Sequence, residues 1–272
     1  NGMWKAPATQ ANMATLRDRG VHVVGPGSGY LACGDVDTGR MSEPEDIVEA
    51  VCEVLNSAPQ DLAGKRIVIT AGPTHEPIDP VRFIGNRSSG KMGIALAGEA
   101  ARRGAEVTLV LGPTSLDVPG GMECVRVQTA AEMLQAALSA FQAADAAICA
   151  AAVADYTPAA PADHKLKKVN ERLDRIELVE TVDILAELSR HKGNRCVIGF
   201  AAETDNVVEY AKRKLARKGC DAIIANDVSR ADSGFGTDTN KAWIVSTTGV
   251  QELPVLTKPQ LADTILDLLQ NS

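Results

Sequence analysis

The sequence predicts a three-layer α/β Rossmann-like domain with a mainly parallel sheet, and two observations carry that prediction. From residue 65 onward, runs rich in Ile and Val alternate with segments of helical period, as in a parallel sheet covered by helices on both faces. Most of these runs also lead directly into Gly, Asn or Thr, as at Gly72, Gly112, Thr129, Asn226 and Thr247. Polar groups are therefore expected at the carboxyl edge of the sheet, where open α/β sheets bind ligands. Residues 1 to 56 read as a short appended fragment with too few strands to close an α/β core.

Strands are expected near 66–71, 106–111, 124–128, 146–151, 196–201, 222–225 and 242–246, because each is a short, largely buried-type run. Helices are expected near 89–103, 130–143, 182–191, 207–218 and 259–269, where apolar residues recur at helical spacing. In the leading fragment an amphipathic helix is expected at 8–19, a strand at 21–24, a Gly-rich loop at 25–40 and a helix at 44–55. Asn56-Ser57-Ala58-Pro59-Gln60 has linker composition. The expected divisions are a fragment over 1–56, a connection over 57–64 and the main domain over 65–272.

The 28 Lys and Arg against 35 Asp and Glu give a net charge of -7, which argues against a dedicated nucleic-acid partner, since neutralising phosphates needs clustered cations. The longest apolar run, Ala146 to Ala154, lies between Asp145 and Asp155 and is far short of the ~20 residues that cross a bilayer. No membrane partner is expected. The six cysteines show neither Cys-x-x-Cys pairing nor Cys/His ligand spacing, so reduced thiols in a cytoplasmic protein are the simplest reading. The opening Asn1-Gly2-Met3-Trp4, with no initiating Met and no signal peptide, reads as if cut from within a longer protein.

The run Asn86-Arg87-Ser88-Ser89-Gly90-Lys91-Met92-Gly93 has the makings of a phosphate cradle. Ser88 and Ser89 can cap a helix, and Gly90 and Gly93 let the backbone approach an anion at the helix N-terminus. An ordinary capped helix reads the same way. A dinucleotide-dependent dehydrogenase would need Gly-x-Gly-x-x-Gly directly after the first strand and an acid at the end of the second. Here the connection is long and the second strand ends Leu111-Gly112-Pro113. Asp155, after the fourth strand, suits a ribose hydroxyl or a Mg²⁺ held through water, and equally suits a turn before Pro158. The basic loop His164-Lys165-Leu166-Lys167-Lys168 and the pair Lys214 and Lys218 can complement a triphosphate or be solvated charge. Neither His75 nor His164 is assigned a catalytic role.

Taken together, Ile69-Thr70-Ala71-Gly72-Pro73-Thr74, Ile78-Asp79-Pro80-Val81-Arg82-Phe83-Ile84, Asn86, Ser88-Ser89-Gly90-Lys91-Met92-Gly93, Ala151-Ala152-Val153-Ala154-Asp155-Tyr156, Lys165-Leu166-Lys167-Lys168, Gly199-Phe200-Ala201-Ala202-Glu203-Thr204 and Ala225-Asn226-Asp227-Val228 resemble the phosphopantothenate–cysteine ligase (phosphopantothenoylcysteine synthetase) family of coenzyme A biosynthesis. The resemblance spans nearly all of residues 65 to 270. Met3-Trp4 and Ala32-Cys33-Gly34-Asp35 resemble the tail of the FMN-dependent decarboxylase fused ahead of this ligase in bacteria, with Cys33 as the acid-donating residue. The flavin-binding region has no counterpart here, so the resemblance implies that FMN belongs to the missing decarboxylase domain and that this fragment does not decarboxylate.

The implied reaction is a CTP-dependent acid–amino-acid ligation. The carboxylate of 4'-phosphopantothenate attacks the α-phosphate of CTP and releases pyrophosphate, after which the amine of L-cysteine attacks the acyl-cytidylate and expels CMP. Mg²⁺ is implied with the triphosphate, and a homodimer as the assembly. The family pattern puts Asn86 and Arg82 on the phosphopantothenate carboxylate and the intermediate, Asn86 as an oxyanion-type donor. Lys165, on a flexible flap, serves the second step. The implied nucleotide contacts are Ser88, Ser89, Gly90, Ala151, Asp155, Lys165, Val182, Asp183, Ile184, Leu185, Phe200, Lys214 and Lys218, with Asp155 also the metal-site carboxylate. Cys149 reads as a small buried hydrophobe. The sequence departs from the family pattern at Gly85, where Ser is usual and Gly should be tolerated, and at Glu180-Thr181-Val182-Asp183, where a Lys and a Pro are missing. A non-catalytic scaffold is the rival class; it has no chemical need for both Asn86 and Lys165.

Overall fold

The computed structural model describes residues 2–30, 36–56, 59–167, 174–230, 232–234 and 236–270. They form two compact units, Asn1–Pro59 and Gln60–Ser272. The first holds α1 (Gly2–Lys5), α2 (Pro7–Asp18), the antiparallel pair β1 (Gly27–Tyr30) and β2 (Val36–Arg40), and α3 (Pro44–Asn56). No strand forms at 21–24. The strand pair lies instead inside the stretch read as a loop, because a strand needs a partner and residues 27–30 find one in 36–40, with Ser28 and Thr38 hydroxyls 3.1 Å apart across the pair. Cys33 lies outside the described residues.

The second unit runs β3 (Arg66–Ala71), β4 (His75–Pro77), β5 (Phe83–Gly85), α4 (Lys91–Arg102), β6 (Glu106–Leu111), β7 (Glu123–Arg126), α5 (Ala130–Phe141), β8 (Ala146–Cys149), β9 (Tyr156–Pro158), β10 (Leu178–Glu180), α6 (Ile184–Arg190), β11 (Cys196–Glu203), α7 (Val207–Lys218), β12 (Ala222–Asp227), β13 (Thr239–Ser246), β14 (Gly249–Thr257) and α8 (Lys258–Leu266). Its main sheet has the order β14-β13-β12-β11-β8-β3-β6-β7. The six strands from β12 to β7 are parallel, and β13 and β14 extend the sheet antiparallel.

Alternation along β3 builds the layers, since successive side chains leave opposite faces of a strand. Ile67, Ile69 and Ala71 pack with Leu96, Ala97 and Ala100 of α4 and Leu261 and Ile265 of α8. Val68 faces the other layer, with Met133 and Ala137 of α5, Leu188 of α6 and Ala211 and Leu215 of α7. Local chemistry fixes the helix ends. Thr129 with Glu132, and Thr257 with Gln260, form capping boxes ahead of α5 and α8. Gly219, at φ 67°, ends α7 in the left-handed conformation.

Residues 60–64, assigned by sequence to the connection, pack with this unit instead. Leu62 is fully buried in the α4/α8 layer, and Asp61 pairs with Arg103.

Candidate active site

The strand order reverses between β3 and β8: the chain builds β3, β6 and β7 outward, then returns to lay β8 on the free side of β3. At such a switch point the loops leaving adjacent strands diverge and open a crevice at their carboxyl ends. A cavity of about 770 Å³ lies here, reached by Thr70 of β3, Cys149 of β8, Phe200 of β11 and Asn226 of β12.

Its floor is the extension of β8. Thr70 accepts the amides of Ala150, through its carbonyl, at 3.1 Å and of Ala151, through its hydroxyl, at 3.3 Å. The amide of Ala152 donates to the Gly72 carbonyl at 2.9 Å. The buried Thr74 hydroxyl accepts from Ala154 N–H at 3.0 Å, and Thr181 Oγ1 donates to the Ala154 carbonyl at 2.6 Å. Every backbone group of this irregular stretch that these bonds satisfy is one fewer buried polar orphan, and Asp155 is thereby held at the rim of the cavity.

One wall is the turn before α4. Gly90 enters the helix at φ 83°, and an added Cβ there would sit 3.4 Å from Gly72 Cα. Ser88 and Ser89 hydroxyls accept from Gly90 and Lys91 N–H at 3.4 Å each. Asn86 Nδ2 donates to the Val153 carbonyl at 2.9 Å, joining this turn to the floor; the amide carries a second N–H. Gly93 serves packing: a Cβ there would lie 2.4 Å from Ala71 Cβ, so glycine lets α4 close onto β3.

The opposite wall comes from α6 and α7. Asp183 caps α6 by accepting from Ala186 N–H at 3.0 Å and also pairs with Lys218. Lys214, one turn earlier on α7, donates to the Phe200 carbonyl at 2.7 Å. Burial pulls both ammonium groups below their usual range, opposed for each by the charge of Asp155 and for Lys214 also by Glu203. Burial also pushes the Cys149 thiol up to about 12, leaving it an unreactive hydrophobe.

Of the residues singled out from sequence, Asn86, Ser88, Ser89, Gly90, Ala151, Asp155, Val182, Asp183, Ile184, Leu185, Phe200, Lys214 and Lys218 all line this cavity. Arg82 and Lys165 do not. Arg82 borders a separate cavity of about 260 Å³ and pairs with the buried Asp79. Lys165 is exposed beside Leu166, which the same Asp79 binds; Lys168 lies outside the described residues. His75 stacks on Phe83 with ring centroids 3.7 Å apart, a structural role. Gly85 sits against that stack: a Cβ would approach the Thr74 carbonyl to 2.8 Å, so this β4–β5 pair is fitted to glycine there.

Sequence reasoning passed over Lys91, Asn240 and Lys258, which line the end of the cavity at the start of α4. Lys258 is 5% exposed and follows the Thr257 cap of α8. A lysine opening a helix, where cations are disfavoured, was the available signal. Among the described residues no three His, Cys, Asp or Glu gather as a metal cage. Asp155 alone suits Mg²⁺, which typically takes one or two carboxylates together with substrate phosphates and water. No described helix is long and apolar enough to cross a membrane.

Comparison with known proteins agrees with this architecture. The chain is 47% identical over 267 residues to the coenzyme A biosynthesis bifunctional protein CoaBC of Bacillus subtilis (strain 168), covering 97% of this chain and 66% of that protein. It is 47% identical over 269 residues to the protein of the same name from Escherichia coli (strain K12), with the same coverage. The chain thus spans 66% of the length of these relatives. A crystal structure of the C-terminal domain of a CoaBC protein superposes with a TM-score of 0.66 at 46% identity, covering 78% of this chain and 97% of that one. Residues 1–56 match the Flavoprotein family. Residues 62–272 match the DNA/pantothenate metabolism flavoprotein C-terminal domain, and it is to that family that the chain belongs.

Proposed function

We propose that the second unit is a phosphopantothenate–cysteine ligase of coenzyme A biosynthesis, joining 4'-phosphopantothenate to L-cysteine with CTP as the activating nucleotide. The observation that carries this reading is one cavity at the β3/β8 switch point that brings together Asn86, the Ser88–Gly90 turn, Asp155 and the Lys214/Lys218 pair. The 47% identity to CoaBC proteins, named for coenzyme A biosynthesis, supports it.

In the first step a carboxylate oxygen of 4'-phosphopantothenate bonds to the α-phosphorus of CTP, and the bond to the β-phosphate breaks with its electron pair leaving on pyrophosphate. Phe200, Asp183 and the two lysines of α7 bound the nucleoside end, and the Ser88–Gly90 turn receives phosphate. Asn86 offers a neutral donor to the acyl oxygen, where an Asp would repel developing charge. In the second step the cysteine amine bonds to the acyl carbon, CMP leaves and a proton is released. Lys165 acts here, carried to the site by its flap. Mg²⁺, held by Asp155 and the nucleotide phosphates, would withdraw charge from the triphosphate. Arg82 and Lys165 reach the reacting groups in a homodimer with the flap closed. The decarboxylase reading, with FMN as its cofactor, attaches to residues 1–56, which match the Flavoprotein family.

Pyrophosphate release tests the reading: purified chain, 4'-phosphopantothenate and Mg²⁺, CTP against ATP, cysteine added last. Release with CTP that accelerates on adding cysteine is expected. Absence of release with either nucleotide from folded protein overturns it. Asn86→Asp should lose turnover while keeping CTP binding; unchanged turnover would remove Asn86 from the donor role, and nucleotide binding without turnover in the parent chain would favour a scaffold.

A further inference from the structure

The two ends of the main cavity are charged differently. At the α7 end, Lys218 is paired with Asp183, and Asp155 and Glu203 offset Lys214. At the other end two lysines open two helices, Lys91 at the first position of α4 and Lys258 at the first of α8, and neither helix has an acid in its first turn. Each ammonium therefore adds to the positive end of a helix dipole, which destabilises the empty site. Among the described residues the one carboxylate paired with either is Asp238, itself 88% exposed, whose Oδ1 accepts from Lys91 Nζ at 2.6 Å. Lys258 is 95% buried, its ammonium fixed by Asn240 Oδ1 at 2.5 Å and the Gly234 carbonyl at 3.2 Å. Two of its three N–H donors are so used. The two lysines repel one another strongly enough that Lys91, after burial, is the main influence lowering the proton affinity of Lys258.

We propose that Lys91 and Lys258 are the seat of the diphosphate end of the nucleotide, the part that leaves as pyrophosphate. This rests on the ligase reading and adds to it the leaving-group site. As the bond from the α-phosphorus to the bridging oxygen breaks, its electron pair stays on the diphosphate, and the added charge falls between two ammonium groups at two helix N-termini. Lys258 is pre-positioned by Asn240. Lys91 exchanges Asp238 for phosphate, so the exposed carboxylate holds the lysine in place until the anion arrives. A phosphate monoester, such as that of phosphopantothenate, shares the chemistry but carries less charge, and the doubled cations favour the diphosphate.

Calorimetric titration of the full chain with pyrophosphate alone, CMP alone and 4'-phosphopantothenate alone separates these sources. Lys258→Met and Lys91→Gln are each expected to weaken pyrophosphate binding by about tenfold or more while leaving CMP and 4'-phosphopantothenate within about twofold. The proposal is overturned if the parent chain does not bind pyrophosphate, if both variants bind it as the parent does, or if the loss falls on 4'-phosphopantothenate instead. Should Lys258→Met fail to fold, judged by lost CMP binding, the more exposed Lys91→Gln decides. Parallel ligase assays keep the two readings apart. A parent chain without turnover that loses pyrophosphate affinity on substitution would defeat the ligase reading alone, and an active parent with unchanged pyrophosphate affinity in the variants would defeat this one alone.

Discussion

Arg82 is tied to Leu166 from both sides: its guanidinium donates to the Leu166 carbonyl at 2.9 Å, and its partner Asp79 accepts the Leu166 amide at 3.1 Å. Asp79 also accepts the backbone amides of Val81 and Arg82 at 2.8 Å each. One buried carboxylate thus ties the Arg82 turn to Leu166, the neighbour of Lys165, although neither Arg82 nor Lys165 lines the main cavity.

Asp79→Asn should therefore lower turnover by about tenfold without abolishing CTP binding, because a positioned group that wanders by an ångström loses rate before it loses affinity. Steady-state kinetics on phosphopantothenate against direct CTP titration checks this. Arg82 holds the Asp79 carboxyl far below its usual range, so acid should loosen the tether only below the ordinary carboxylate range. Full turnover in Asp79→Asn would show that Arg82 and Lys165 do not depend on it.

Lys258 provides a pH signature. Burial and Lys91 lower its ammonium to about 8, while Asp238 opposes that shift; these are the charged groups that bear on it. Raising pH through 8 removes the proton and with it half of the cationic seat, so pyrophosphate affinity should fall between about pH 7 and pH 9. Bound anion raises the proton affinity and moves the midpoint upward. Titrations across that range on the parent and Lys258→Met should show the slope only in the parent.

Gly93→Ala forces a methyl to within 2.4 Å of Ala71 Cβ. The helix must lift from the strand, at about 1–3 kcal/mol, as for other overpacked cores. Because α4 begins at the Ser88–Gly90 turn, nucleotide affinity should fall too. Urea unfolding with CMP titration reads both; an unchanged midpoint would show that α4 has slack.

Arg103, 2% exposed, donates to Asp61 at 2.6 and 3.0 Å and pairs with Asp263 and Asp267 at 3.0 and 2.9 Å. Arg103→Met should cost about 3 kcal/mol, below the upper range for buried pairs because the three carboxylates keep contact with solvent. Arg103 lowers the Asp61 carboxyl below its ordinary 3.8. That contribution is complete above the unfolded value and is lost as pH falls through the lower folded one. Urea midpoints should accordingly fall between about pH 5 and pH 2 more steeply in the parent than in Arg103→Met.

What was legible in the sequence followed local periodicity. The bounds of β3, β6 and α7 agree with expectation because buried Val and Ile runs and a Gly219 stop state them locally. The hairpins β4–β5 and β9–β10 were not legible, since three-residue strands owe their existence to partners set by the fold. β14 was missed because its side chains are mostly exposed and it includes Pro254. The cavity residues were legible where motif and strand end coincide, as at Ser88–Gly90 and Asp155. Lys258 was not, because its meaning arises only when α8 is laid beside α4.

The clasp made by Arg103 bears on how this fold can be joined to other chains. Asp61 stands near the start of the second unit and Asp263 and Asp267 near its end, so one guanidinium gathers entry and exit at the carboxyl end of α4. That helix has twelve residues, which sets the junction about 18 Å from the cavity at its other end. Sequence should be tolerated at either end of this unit, or its ends spliced together and the chain reopened in a surface turn such as Thr247–Gly249, without touching the edge of the sheet that holds the cavity.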